Sequence, residues 1–212
     1  GPGAGNTVTG LMTAQMDSVP MLVICGQQVT WMLGKDAFQE ADIFGITIPV
    51  VKHNYLVKET NDLVRVTKEA YHIATTGRPG PVLIDVPKDV SSGDFTATMD
   101  PELDLPGYDP YESLNIDPFR IEEAVALIKK AKRPVILAGQ GTMISRADKE
   151  LMELATKLNC PVTSTLLGKG VFPETHDLSL GMLGMHGTAY ANKAMVECDL
   201  LLNVGSRFDD RI

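Results

Sequence analysis

No stretch of this 212-residue sequence holds 18 consecutive apolar residues, so nothing in it reads as a membrane-spanning helix. Its first residues, Gly1-Pro2-Gly3-Ala4-Gly5-Asn6, have neither the basic start nor the apolar stretch of a secretory signal. Cations are the minority: 19 Lys and Arg against 27 Asp and Glu give a net charge of −8. That disfavours nucleic acid as a partner, because a phosphate backbone attracts clustered Lys and Arg. Cysteine is sparse and odd in number; Cys25, Cys160 and Cys198 are far apart, in apolar surroundings, and share no metal-ligand spacing with the four histidines. Buried, reduced thiols in a reducing compartment are expected. No Ser–His–Asp set, hydrolase-type carboxylate pair, internal repeat or low-complexity segment is legible.

What is present is ordinary globular composition, 44% hydrophobic and 22% charged, in a length that suits one large domain or two small ones. After the Gly-rich opening, Thr7 to Met16 suits a helix. Pro20 to Cys25 is a continuous apolar run that predicts a strand buried on both faces. A second short strand is expected at Ile46 to Val51. Leu63, Val66, Ala70, Ile73 and Ala74 recur at helical spacing before Gly77, and Pro81 to Val86 reads as another buried strand. Asp89 to Asp117 is rich in Pro, Gly and Asp and has no Lys or Arg, which predicts an acidic surface linker; one long functional loop is the alternative. Asp117-Pro118 then opens a helix whose inner face is marked by Ile121, Val125 and Ile128. A strand at Val135 to Ala138, a helix carrying Leu151, Leu154, Ala155 and Leu158 inward, a strand at Pro161 to Thr165, a helix at Ala189 to Glu197 and a strand at Leu200 to Val204 follow. Such alternation predicts two parallel α/β units.

Several turns could carry chemistry. The opening Gly-rich turn leads into a helix, where backbone N–H groups can approach an anion, though a structural turn reads the same way. Gly139-Gln140-Gly141, Thr165-Leu166-Leu167-Gly168-Lys169-Gly170 and Gly205-Ser206-Arg207-Phe208-Asp209-Asp210-Arg211 each follow a strand end, so one sheet edge would collect three Gly-bearing turns. That is where α/β sheets bind ligands, and Arg207 and Arg211 could hold a diphosphate. Solvated loops with Arg–Asp pairs are the bland alternative. In Gly181-Met182-Leu183-Gly184-Met185-His186-Gly187, soft Met side chains between glycines suit a flat aromatic ligand; His186 also fits a structural role, and no nearby His or Cys points to a metal.

The stretches Gly34 to Thr47 (GKDAFQEADIFGIT), Lys52 to Val57 (KHNYLV), Gly77 to Asp89 (GRPGPVLIDVPKD), Leu183 to Gly187 (LGMHG) and Arg207 to Arg211 (RFDDR) together resemble the catalytic (large) subunit of acetolactate synthases, in that family's order and over nearly the whole chain. The resemblance implies residues 1–89 as the later part of a thiamine-diphosphate pyrimidine-binding domain, 90–116 as a linker and 117–212 as most of a Rossmann-like FAD-contacting domain. The implied reaction is decarboxylation of pyruvate and carboligation to pyruvate or 2-ketobutyrate, in branched-chain amino-acid biosynthesis. The positions of Pro2, Asn6 and Gln39 are implied near thiamine diphosphate, and those of Gln27, Phe38 and Lys88 on a substrate channel near a subunit interface, with Gln39 and Lys88 as catalytic candidates. FAD contacts are implied for Arg78, Gly139, Gln140, Gly141, Thr165, Leu166, Leu183, Gly184, Met185, His186, Gly187, Gly205, Ser206, Arg207, Asp209 and Arg211. Mg2+ is implied with its site outside this chain, as are a homodimer or larger homo-oligomer, a regulatory small subunit, and a cytoplasmic (in a eukaryote, plastid or mitochondrial) location. The family's activating glutamate and diphosphate–metal motif have no counterpart in this sequence, so the chain alone is expected to be inactive. Gly26-Gln27-Gln28-Val29-Thr30 departs from the usual Gly-Gln-Val-Pro-Thr, and Gly5 replaces a threonine. Pyruvate oxidase, glyoxylate carboligase and a non-catalytic nucleotide-binding module are the rival readings.

Overall fold

A computed structural model describes residues 1–106 and 116–209. The contacts divide the chain into two compact units, Gly1–Asn115 and Ile116–Ile212.

The first unit contains α1 (Pro2–Gly5), α2 (Val8–Met16), β1 (Met21–Gln27), α3 (Ile43–Thr47), β2 (His53–Leu56), α4 (Leu63–Thr75), β3 (Pro81–Pro87) and α5 (Lys88–Ser91). Its sheet is parallel in the order β1-β3-β2. Only the central strand β3 is enclosed on both faces; Val82, Leu83 and Ile84 are at most 1% exposed. Each such side chain contributes about 1.5–3 kcal/mol on leaving water. Alternate residues of β3 feed two cores, Val82 and Ile84 against α4, and Leu83 against Leu11, Cys25, Ile43, Val50 and Val51.

Strand β1 corrects an expectation. It lies at the sheet edge and Ile24 is 68% exposed, so its apolar run does not mark burial on both faces. The strand expected at Ile46 to Val51 is instead the helix α3 and a 3-10 turn at Ile48–Val50, and pairing begins at His53. Two local causes are visible. The Asp42 side chain caps the helix by accepting from Gly45 N at 2.9 Å, and Pro49 has no N–H for a strand ladder. Asn54, on β2, then donates to Phe44 O at 2.7 Å and Thr47 Oγ1 at 2.9 Å, which locks the helix over the sheet.

Of the segment read as linker, residues 94–106 lie along α4. Asn61 Oδ1 accepts from Thr96 N at 2.8 Å and Ala97 N at 3.1 Å, Lys68 Nζ donates to Pro101 O at 2.9 Å, and Leu105 packs on the first core. Residues 107–115 lie outside the described residues.

The second unit contains α6 (Pro118–Lys130), β4 (Pro134–Ala138), α7 (Gln140–Ile144), α8 (Asp148–Leu158), β5 (Val162–Ser164), β6 (Ser179–Met182), α9 (Ala189–Glu197) and β7 (Leu200–Val204). Its parallel sheet has the order β6-β5-β4-β7. Asp117 caps α6 as expected, accepting from Phe119 N at 3.0 Å. The supposed inner face of that helix is not covered: Ile121 is 54% and Val125 41% exposed, and Ile128 is half-buried. The core instead forms from Ile136, Ala138, Leu151, Ala155, Cys160, Val162, Val171 and Phe172. Strand β6 was not expected at all; it is four residues long, irregular in register against β5, and holds Gly181 at φ +69. No helix among the described residues is long and apolar enough to cross a membrane.

Candidate functional site

In the first unit the carboxyl edge of the sheet gathers most of the residues singled out there. Gln27 and Pro87 are register partners at the ends of β1 and β3, so Lys88 and Gln28 leave the sheet side by side. Asp89 ties those ends together, its carboxylate accepting from Thr30 N at 3.0 Å and Thr30 Oγ1 at 2.6 Å. These bonds hold the Asp89 carboxyl below its usual range. Lys88 is exposed, and no ion pair holds its ammonium among the described residues.

The loop from Gln28 to Ala41 is sewn onto this edge. Gln27 Nε2 donates at 2.9 Å to both Ala41 O and Asp85 Oδ2, while Gln27 Oε1 accepts from Gln28 N at 3.0 Å. The Gln27 amide is therefore committed to the protein, as a tie for the loop. Gln28 Nε2 donates to Phe38 O. Glu40 clasps the loop from within, accepting from Gly34 N and, at 2.9 Å, from Ala37 N, which lowers its carboxyl below the usual range. This bracing supports two left-handed residues, Asp36 at φ +53 and Gln39 at φ +58. It also displays Phe38, 81% exposed, with Trp31, 62% exposed, in the same loop. The opening turn abuts the loop, since a Cβ on Gly1 would lie 1.8 Å from Gln39 O. Pro2, Asn6 and Gln39 are exposed there, and Cβ atoms on Gly3 or Gly5 would meet nothing within 4 Å, so open space adjoins the turn.

Arg78 is not part of this group. It precedes β3, at the opposite edge of the sheet, where its guanidinium donates to Ser18 Oγ at 2.7 Å and Met16 O at 3.1 Å and so closes the end of α2.

In the second unit all strands are parallel, so their carboxyl ends share one edge, with the turn after β4 between those after β5 and β7. The glycines there are required by one another. A Cβ on Gly139 would lie 2.4 Å from Gly205 O, and one on Gly205, itself at φ +71, 2.4 Å from Thr142 N. Gly139 N donates to Val204 O at 2.8 Å and Gly141 N to Gly205 O at 2.9 Å, which interlocks the two turns. Gln140 starts α7 and is half-buried. Thr165 is buried and its Oγ1 accepts from Gly168 N at 3.1 Å, leaving Leu166 69% exposed at the tip. Leu183 belongs to a small core with Leu137 and Ala191. Beyond it, a tight turn from Gly184 to Gly187 exposes Met185, at 66%, and His186. Ser206 bonds Asn203 through both its backbone groups, and Arg207 pairs with Asp209 at 2.7 Å. The Arg207 side chain is 47% exposed, so its guanidinium is open to an approaching anion. Phe208 stands beside it, 60% exposed. Arg211 lies outside the described residues. A cleft of about 240 Å³ adjoins the edge at β6, lined in part by Lys169, Glu174, His186 and Tyr190.

Two contributors were not singled out in the sequence, Asp85 and Asp89. They act across 58 and 59 residues, a separation that no local pattern reports.

Two parallel α/β units with candidate residues at the carboxyl edges of their sheets agree with the domain matches, which are to thiamine pyrophosphate enzymes. Residues 1–46 match the N-terminal thiamine-pyrophosphate-binding domain of those enzymes, and residues 121–212 match their central domain. Within that class the chain is a homologue of acetolactate synthase large subunits. It is 53% identical to the acetolactate synthase of Arthrospira platensis, with all of this chain and 37% of that protein covered. It is 50% identical to the large subunits of Corynebacterium glutamicum and Lactococcus lactis, again over the whole chain and over 34% and 36% of those proteins. The chain thus spans little more than a third of the length of these relatives.

Proposed function

We propose that this chain supplies the pyrimidine-side and flavin-contacting part of an acetolactate synthase, an enzyme that decarboxylates pyruvate and joins the two-carbon unit to pyruvate or 2-ketobutyrate. The observation that carries the reading is the convergence of the opening turn, Phe38, Gln39 and Lys88 on one sheet edge, from segments far apart in sequence. Thiamine diphosphate, when bound, supplies the carbanion stabilisation that such chemistry needs. The chain's own residues prepare the surroundings. Gln27, Asp89 and Glu40 brace the loop. Phe38 offers an apolar wall, Gln39 an exposed amide, and Lys88 a free cation suited to the carboxylate of a 2-keto acid. The exposed Trp31 and Phe38 fit a homodimer whose partner completes the channel.

FAD fits the edge of the second unit. Leu166, Met185 and Phe208 present apolar surface for a flat ring system, and Arg207 offers charge to a diphosphate. The reading places the Mg2+ site outside this chain, as the family resemblance implies. A regulatory small subunit and a cytoplasmic or organellar location complete the reading.

The test is to exchange the matched third of the Corynebacterium glutamicum large subunit for this chain and assay the chimera with pyruvate. Acetolactate formation is expected, with kcat/KM at least tenfold lower in Lys88→Ala and Gln39→Ala. A folded chimera that reduces its flavin and releases acetate, or one that accepts only glyoxylate, would overturn the reading. Flavin titration of the chain itself, with Arg207→Ala as control, tests the FAD part: saturable binding weakened by the substitution is expected.

A further inference from the structure

We propose that Asn192 positions the Gly184–Gly187 turn so that Met185 and His186 meet a flavin; the inference rests on the flavin reading of this edge. Gly184 N donates to Asn192 Oδ1 at 2.8 Å, and Asn192 Nδ2 donates back to Gly184 O at 3.0 Å. One side-chain amide thus engages both backbone groups of Gly184, as a neighbouring strand would, just beyond the end of edge strand β6. Gly184 O also accepts from Gly187 N at 3.0 Å, which closes the turn on the same atom.

The chain is anchored on either side of the turn, Leu183 N donating to Ser164 O at 3.2 Å and Thr188 N to Met182 O at 2.9 Å, and the clamp adds a side-chain hold on Gly184 between them. Gly184 adopts φ +94, a conformation that glycine tolerates and does not by itself prefer. Met185 and His186 are exposed on the turn. Gly187 fits only without a side chain, since a Cβ there would lie 2.4 Å from Met182 O. The clamp is itself well anchored. Asn192 follows Ala191, which is 0% exposed and packed with Leu137 and Leu183. Thr188 fixes the start of α9, accepting from Ala191 N at 3.2 Å and donating to Leu180 O at 2.9 Å. Asn192 therefore transmits the position of a core-packed helix to a surface turn. A carboxylate can only accept, so Asp at this position retains one of the two bonds, whereas Leu retains neither at similar size.

The experiment titrates FAD into the full chain as wild type, Asn192→Asp and Asn192→Leu. It follows flavin fluorescence, melting temperature and the visible circular dichroism of the bound flavin. Affinity is expected to fall at least tenfold in Asn192→Leu and by less in Asn192→Asp. The dichroic band at saturation should change in the same order, a change that lost stability alone does not produce. Wild-type affinity and an unaltered band in a folded Asn192→Leu overturn this inference and leave the flavin reading standing. If that variant does not fold, Asn192→Asp decides by the same criteria. A wild-type chain that binds no flavin overturns both.

Discussion

Asp85 sits 1% exposed in the central strand of the first sheet, with Oδ2 on Gln27 and, among the described residues, no hydrogen-bond partner for Oδ1. Burial pushes its carboxyl above the usual range, opposed in part by the Gln27 bond. A raised folded-state value means that the folded chain holds the proton more tightly than the unfolded one. Its effect on stability is therefore most favourable in acid and declines as pH rises from the ordinary carboxylate range through the raised value. Asn keeps an acceptor for Gln27 and has no charge to desolvate; an unpaired neutral amide costs about 1–3 kcal/mol, less than an unpaired carboxylate. Asp85→Asn is thus expected to melt at or above wild type at pH 7, with the advantage closing toward pH 4. Melting curves across that range would sink the idea if the wild type gained on the variant as pH rose. The cysteines give a second test at this scale. Cys25 and Cys160 are buried, desolvation pushing the Cys160 thiol up to about 11, while Cys198 is half-exposed. A thiol reagent at pH 8 should modify one group in the native chain and three in denaturant; native reaction of three would contradict the buried sites.

At the scale of elements, the interlocked turns after β4 and β7 make the sharpest demand on sequence. Alanine at Gly205 would suffer left-handed strain of about 1–3 kcal/mol, and its Cβ would meet the Thr142 backbone at 2.4 Å, which adds to that cost. Gly3 is the contrast. It lies in α1 with nothing within 4 Å of a Cβ, and Gly→Ala at a compatible position gains about 0.4–1 kcal/mol. Denaturant curves should therefore show Gly205→Ala clearly destabilised and Gly3→Ala unchanged or slightly stabilised. The contrast also marks what was legible. Periodicity found α4 and α8, the apolar run found β3, and the alternation of elements found both parallel sheets. Gly-bearing strand ends were correctly expected on one edge. Between the two readings of Gly139-Gln140-Gly141, a ligand-binding turn and a tight structural one, the close packing of Gly139 against Gly205 gives the glycines a structural reason. Periodicity failed where side chains rather than pattern decide, as in the Asp42 cap of α3, or where an element is too short to have a period, as in β6. It also misjudged β1 and α6, because an apolar stripe states a capacity for burial and does not name the neighbour that provides it.

For the whole molecule, the decisive fact is that each unit has cores of its own among the described residues. A local defect should then loosen the unit that contains it. Gly205→Ala weakens the junction of β4 with β7, so backbone amides of residues 135–138 and 200–204 are expected to exchange with deuterium faster than in wild type, while those of residues 21–27 and 82–86 keep their protection. Asp85→Asn should leave the second-unit amides unchanged. Substitutions without shared partners add, so the double variant is expected to show each single variant's exchange pattern in its own unit, with free energies summing to within about 0.5 kcal/mol. Faster exchange in β1 and β3 on changing Gly205 would mean that the two units unfold as one, and the free energies of the double variant would then depart from that sum.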